Sequence, residues 1–154
     1  MNTDTFNNTF KLKLKSNEVL CLAGDNEYDL YYVLSGKLMV CVTKKTQVIP
    51  VAYLDKGQYI GEISFFDHRP RSATVIATED TEVVKIPPAE LKKQVPKWLV
   101  STAIQMITKL RETDDVIQEN GIRKKNVESI RPLSIDDQRM YYSAIEEFMS
   151  QRNK

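Results

Sequence analysis

The sequence predicts an α+β protein: an antiparallel, jelly-roll-like β-roll, then a long helix and a further amphipathic tail helix. Three observations carry this. Up to Ile86 the chain is built of short apolar runs with strand-like alternation. Gly24, Gly36, Gly57 and Gly61, four of the 5 glycines, fall between those runs as turn punctuation. Beyond Pro87 the apolar period lengthens from two to between three and four, the period of helices. Many short strands separated by turn residues close into a sandwich or roll.

Strands are expected at Lys11–Leu14, Val19–Leu22, Leu30–Leu34, Lys37–Thr43, Gln47–Leu54, Ser72–Ala77 and Glu82–Ile86. Alternation is clearest in Leu12-Lys13-Leu14 and across Lys37–Val42. Lys44-Lys45-Thr46 is a short hairpin loop. Pro87-Pro88-Ala89-Glu90 opens a short helix over Ala89–Val95, and Pro96 opens a long one. Along it Val100, Ala103, Ile107, Leu110, Asp114 and Ile117 repeat at spacings of three and four. Such a seam suits a partner helix, the alternative being packing against the chain's own roll, and Asp114 interrupts it. Trp98, Ile104 and Met106 lie off the seam and are expected to face the roll. Asn120-Gly121 reads as a helix stop, followed by basic Arg123-Lys124-Lys125. Ser134-Ile135-Asp136-Asp137 is a capping-box variant. The helix it opens, to about Gln151, carries an apolar stripe of Met140, Tyr141, Ala144, Ile145, Phe148 and Met149. The expected division is 1–120 as one domain and 121–154 as a helical extension.

Residues 61–75, Gly-Glu-Ile-Ser-Phe-Phe-Asp-His-Arg-Pro-Arg-Ser-Ala-Thr-Val, carry the chemistry. They connect two strands, yet they are more apolar than an ordinary surface loop. Gly61 lets backbone approach a ligand closely. The helix start at Glu62-Ile63 presents free N–H groups to an anion. Arg71 supplies a planar fork for two phosphate oxygens, and Ser72 adds a hydroxyl and an N–H. Glu62 would repel a phosphate, so it serves another part of the ligand; a sugar hydroxyl suits it. The bland alternatives are a turn glycine and a structural Glu62–Arg71 ion pair across the loop. Such a pair leaves Pro70, Ser72 and the helix start without a purpose.

This stretch resembles the phosphate-binding cassette of the cyclic nucleotide-binding domain, the family of catabolite-activator-type regulators and of regulatory subunits of cyclic-AMP-dependent kinase. The cassette matches without a gap: Gly61-Glu62, two apolar positions, then Pro70-Arg71-Ser72-Ala73. Around it, Gly24-Asp25 follows a strand, Tyr31–Gly36 looks like the family's Tyr-x-Val/Ile-x-x-Gly turn, and Leu54–Gly61 looks like its Leu-x-x-Gly-x-x-Phe/Ile-Gly run. The resemblance covers about residues 10 to 120. It implies phosphate and ribose contacts from Gly61, Glu62, Ile63, Arg71, Ser72 and Ala73. It also implies a base pocket from Val40, Val51, Leu54 and Ile60, capped near Thr113 and Asp114. Val40, Val51, Leu54 and Ile60 suit a plain strand core equally well, and Thr113-Asp114 a registry-setting break in the seam.

Other classes are excluded or weakened. No Walker loop or Gly-x-Gly-x-x-Gly is present, and the single histidine, His68, has no paired nucleophile in sequence. Glu62, Asp67 and His68 sit too close on one loop to converge on a metal, so no metal site is expected. Cys21 and Cys41 lie in apolar strand patterns and read as reduced core thiols. With 22 basic against 21 acidic residues, no bulk field favours nucleic acid or an anionic membrane. No apolar run is long enough to span a bilayer, and the polar start lacks a signal-peptide core, so a cytoplasmic location is expected. The tail offers one clear helix where a helix-turn-helix needs two.

The expectation is therefore a non-enzymatic receptor for cyclic AMP, with cyclic GMP next, needing no cofactor beyond that ligand. It would be a homodimer through residues 100–117 and would signal through a protein effector. The alternatives are a ligand-independent scaffold of the same fold and a compact DNA-binding regulator.

Overall fold

The computed structural model describes residues 11–89, 96–120 and 132–152, with side chains omitted for 112–120. The expected short helix beyond residue 89, the stop at Gly121 and the basic cluster at Arg123–Lys125 lie outside the described residues. Strands β1 (Lys11–Leu14), β2 (Val19–Cys21), β3 (Leu30–Ser35), β4 (Lys37–Lys44), β5 (Gln47–Asp55), β6 (Tyr59–Ile60), β7 (Thr74–Ala77) and β8 (Thr81–Ile86) form two antiparallel sheets. Their orders are β1-β8-β3-β6 and β2-β7-β4-β5. Helix α1 (Glu62–Asp67) links β6 to β7, and α2 (Lys97–Asn120) and α3 (Ile135–Arg152) follow the roll. This is the α+β roll with two trailing helices that the patterning predicts. Strand β6 is the addition; two residues are too short to show a period. Among the described residues no helix is long and apolar enough to cross a membrane.

The space between the sheets is filled by Leu20, Cys21, Tyr31, Val33, Leu38, Ile60, Val75, Ala77 and Val83. The outer face of the second sheet is apolar too. Val19, Met39, Cys41, Val48 and Ile76 pack there against Tyr141 and Ile145 of α3. A sheet covered on both faces loses polar alternation, and all four residues of β7 are buried.

Helix α3 is locked at its start and to the sheet edge. Ser134 Oγ accepts from Asp137 N–H at 3.1 Å, the expected cap. Gln138 straddles Val48 of edge strand β5. Its Nε2 donates to Val48 C=O at 2.8 Å, and its Oε1 accepts from Val48 N–H at 2.6 Å. The side chain thus satisfies edge groups that would otherwise stay open to another strand.

Helix α2 turns its faces the other way from the sequence expectation. Arg111 ion-pairs with Asp67 of α1 through Nε and, at 3.2 Å, through Nη2. Ile107, on the same face, is buried, and Val100 and Ala103 are half-buried. Trp98, Ile104 and Met106, expected against the roll, are 68%, 37% and 64% exposed. The seam and the off-seam stripe are both apolar, and periodicity alone cannot say which one meets the chain's own fold.

Candidate functional site

A cavity of about 230 Å³ opens between the sheets beside α1. Its floor is one row of side chains across the second sheet. Cys21 pairs with Val75, Val75 with Val40, and Val40 with Ala52, and all four line the cavity. Small residues in that row leave the space open. Leu54, Tyr59 and Ile60 form one wall, and Gly61–Ser64 and Arg71–Ala73 the other.

Arg71 dominates the polar side. It is 5% exposed, and its guanidinium lies 5.6 Å from the ring of Tyr31. Nη2 donates to Asp29 C=O at 2.5 Å and Nη1 to Gly61 C=O at 3.3 Å. Nε is buried with no hydrogen-bond partner. Among the described residues no carboxylate pairs with this cation. The structural ion pair with Glu62 is therefore absent; Glu62 is exposed at the cavity rim. A buried guanidinium held by carbonyl dipoles alone keeps its charge for an incoming anion.

Gly61 makes that placement feasible. Its φ is +84°, a left-handed conformation that L side chains adopt at a cost. A Cβ there would come 1.8 Å from Arg71 Nη1. Helix α1 starts at this glycine without a side-chain cap, so its first N–H groups stay available at the cavity. Phe65, 1% exposed, anchors the helix in the core, and Ser64 Oγ donates to Pro70 C=O at 3.4 Å across the cassette.

The backbone of Arg71 is gripped from the other side. Its N–H donates to Asp25 C=O at 2.9 Å, and its C=O accepts from Gly24 N–H at 2.8 Å. Strand β7 starts after this segment, at Thr74 rather than at the expected Ser72. Ser72 and Ala73 face the cavity.

The expected anion-side residues Gly61, Glu62, Ile63, Arg71, Ser72 and Ala73 thus come together, and Val40, Leu54 and Ile60 join them. Val51 does not. It is 50% exposed and is the residue skipped where the β4–β5 register shifts between Val40 and Cys41. Parity carried the warning: Val51 and Leu54 are three apart and point to opposite faces of a regular strand. Ala52 takes the place expected of Val51. Thr113 and Asp114 fall within α2, but their side chains are outside the described residues. Cys21, Ala52, Val75, Tyr59 and Ser64 are lining residues that sequence reasoning missed; the first three belong to a row that exists only once strands pair.

Burial pushes the Cys21 thiol up to about 12 and Cys41 up to about 11, so both stay protonated. His68 is exposed and meets the ring of Tyr28 edge-on at 5.4 Å. Among the described residues no group of three His, Cys, Asp or Glu side chains could hold a metal ion.

Comparison with known proteins agrees with this geometry. The family model described as "Cyclic nucleotide-binding domain" matches residues 11–96. The cAMP-dependent protein kinase type II regulatory subunit of Drosophila melanogaster is 36% identical over 55 residues, 36% of this chain and 15% of that protein. The Pycsar effector protein XpPycTIR of Xanthomonas perforans is 28% identical over 120 residues, 74% of this chain and 38% of that protein. The chain thus spans well under half the length of these relatives. The catabolite activator protein of Thermus thermophilus superposes with a TM-score of 0.56 at 27% identity, over 72% of this chain and 54% of that one.

Proposed function

The chain belongs to the cyclic nucleotide-binding domain family, and on that premise we propose that it is a non-enzymatic receptor for a cyclic nucleotide, cyclic AMP first and cyclic GMP next. The observation that carries this is Arg71: a buried cation with one unpartnered N–H, facing a mostly apolar cavity, with no acid among the described residues to neutralise it. A cyclic phosphodiester bears one negative charge on two exocyclic oxygens, which matches the guanidinium fork. Gly61, Ile63, Ser72 and Ala73 complete the phosphate side through backbone and hydroxyl groups. Glu62, free at the rim, accepts from the ribose 2′-hydroxyl. Val40, Ala52, Leu54 and Ile60 offer an apolar surface to the sugar and base, and α2 near Thr113 and Asp114 caps the base. Residues 1–120 form the binding unit and 121–154 its extension.

Output passes through a partner protein, and the receptor is a homodimer through α2. The apolar face that α2 leaves exposed supports a helix partner. Leu99, Met106 and Leu110, spaced seven and four apart, stand 44%, 64% and 57% exposed. This face keeps Leu110 of the expected seam and loses Ile107, which the chain itself covers.

Calorimetric titration with cyclic AMP, cyclic GMP and 2′-deoxy cyclic AMP tests the reading. The wild type binds one of the first two, and the deoxy analogue binds about tenfold weaker from the lost bond to Glu62. Arg71→Ala costs about 3 kcal/mol of binding or more while the fold survives. Unchanged affinity in folded Arg71→Ala refutes the phosphate assignment. In thermal unfolding, ligand at 100 times its Kd adds about 2.7 kcal/mol of stability. No response to either nucleotide favours the scaffold alternative instead.

A further inference from the structure

The residue that ends the tail helix reaches the turn that holds Arg71. Arg152 Nη1 lies 2.7 and 2.6 Å from the two carboxylate oxygens of Asp25, 127 positions away in sequence. The Arg152 guanidinium also rests 5.8 Å from the ring of Phe148, which orients it along α3. Asp25 is not a free surface acid. Its side chain is 15% exposed, and its carboxylate also accepts from Leu22 N–H at 3.0 Å. Around it Ala23 N–H donates to Thr74 Oγ1 at 3.1 Å. This turn makes the two-way backbone pair with Arg71, through Gly24 N–H and Asp25 C=O.

We infer that Arg152, acting through Asp25, is a positioning residue for Arg71, so that docking of the tail helix and occupancy of the cavity are coupled. The ligand side of this inference rests on the cyclic nucleotide reading; the mechanical side rests on the geometry alone. The Arg152 side chain is 52% exposed, so the pair adds little to global stability. Its effect is local. It fixes the carboxylate that closes the turn, and the turn fixes both backbone bonds of Arg71. Coupling of this kind is reciprocal: whatever tightens Arg71 on a ligand also tightens the α3 end on the roll.

Wild type, Arg152→Ala and Arg152→Lys are compared as full chains. Amide hydrogen exchange without ligand comes first. Arg152→Ala accelerates exchange at the Gly24 and Arg71 amides several-fold, leaves the amides of the inter-sheet core unchanged, and Arg152→Lys restores most of the protection. Titration with cyclic AMP then shows about three- to fivefold weaker binding in Arg152→Ala, the scale of a part-exposed ion pair. Equal exchange at Gly24 and Arg71 in all three proteins overturns the inference. So does loosened exchange with unchanged affinity in a protein that binds. If those amides loosen while the wild type binds neither cyclic AMP nor cyclic GMP, the mechanical coupling stands and the cyclic nucleotide reading falls.

Discussion

Gly61 and Arg71 depend on each other at single-atom range. The glycine's φ is +84°, and a Cβ added there would stand 1.8 Å from Arg71 Nη1, so a methyl group fits only if the guanidinium moves. Gly61→Ala should cost about 1–2 kcal/mol in backbone conformation alone and displace the guanidinium as well. Thermal unfolding and nucleotide titration should both register it; a variant with native melting temperature and affinity would show that the cassette relaxes freely. Burial leaves a second signature. Desolvation raises the Cys21 and Cys41 thiols from 9.0 to about 12 and about 11, and it raises the Tyr31 hydroxyl, next to Glu27, as well. Each group keeps its proton in the fold at a pH where the unfolded chain has lost it. Their contribution is therefore complete below about pH 9 and declines as pH rises toward 12. Urea midpoints should fall steadily above pH 9, with both thiols unreactive to a disulfide reagent until unfolding. Rapid labelling of either thiol in the native protein would contradict this burial.

At the scale of elements, the tail helix behaves as an outer layer of the roll. Ile145 is 4% exposed among Val19, Met39, Cys41, Val48 and Ile76. Ile145→Ala should lower stability by about 2–5 kcal/mol, read from urea unfolding, as for other buried isoleucines. A loss within a few tenths of a kcal/mol would mean that α3 does not occupy this face in solution. The stripe was legible in sequence as amphipathic helix. An isolated helix of this length is marginal in water, so it had to dock. Where it docks was not legible. Helix α1 was legible from its start at Glu62-Ile63 rather than from a period, for which six residues are too few, and it holds through Phe65 in the core and the Asp67–Arg111 pair.

For the whole molecule, the proposed homodimer would form on the uncovered face of α2. Met106→Glu combined with Leu110→Glu should leave the fold intact, since both residues are exposed, and should turn a dimer into a monomer in sedimentation. Like charges meeting across a two-fold axis oppose association. A wild type that sediments as a monomer at high micromolar concentration would refute the homodimer. A charge at Ile107, the buried residue of the seam, would be a poor test, because it would injure the packing of α2 on its own domain.

Local chemistry is what this sequence determined by itself. Strand positions, turn glycines, the Ser134 cap and the whole Gly61–Ala73 series are written in adjacent residues, because turn geometry, capping and anion binding need specific residue types within a few positions. Tertiary structure decided the rest. It assembled the cavity floor from Cys21, Val75, Val40 and Ala52, and it skipped Val51 at a bulge. It chose which apolar face of α2 to bury, and it brought Arg152 onto Asp25. Each of these depends on which strand or helix lies beside which. Pairing and packing join residues far apart in the chain, and periodicity reports only that a face is apolar, not what will cover it.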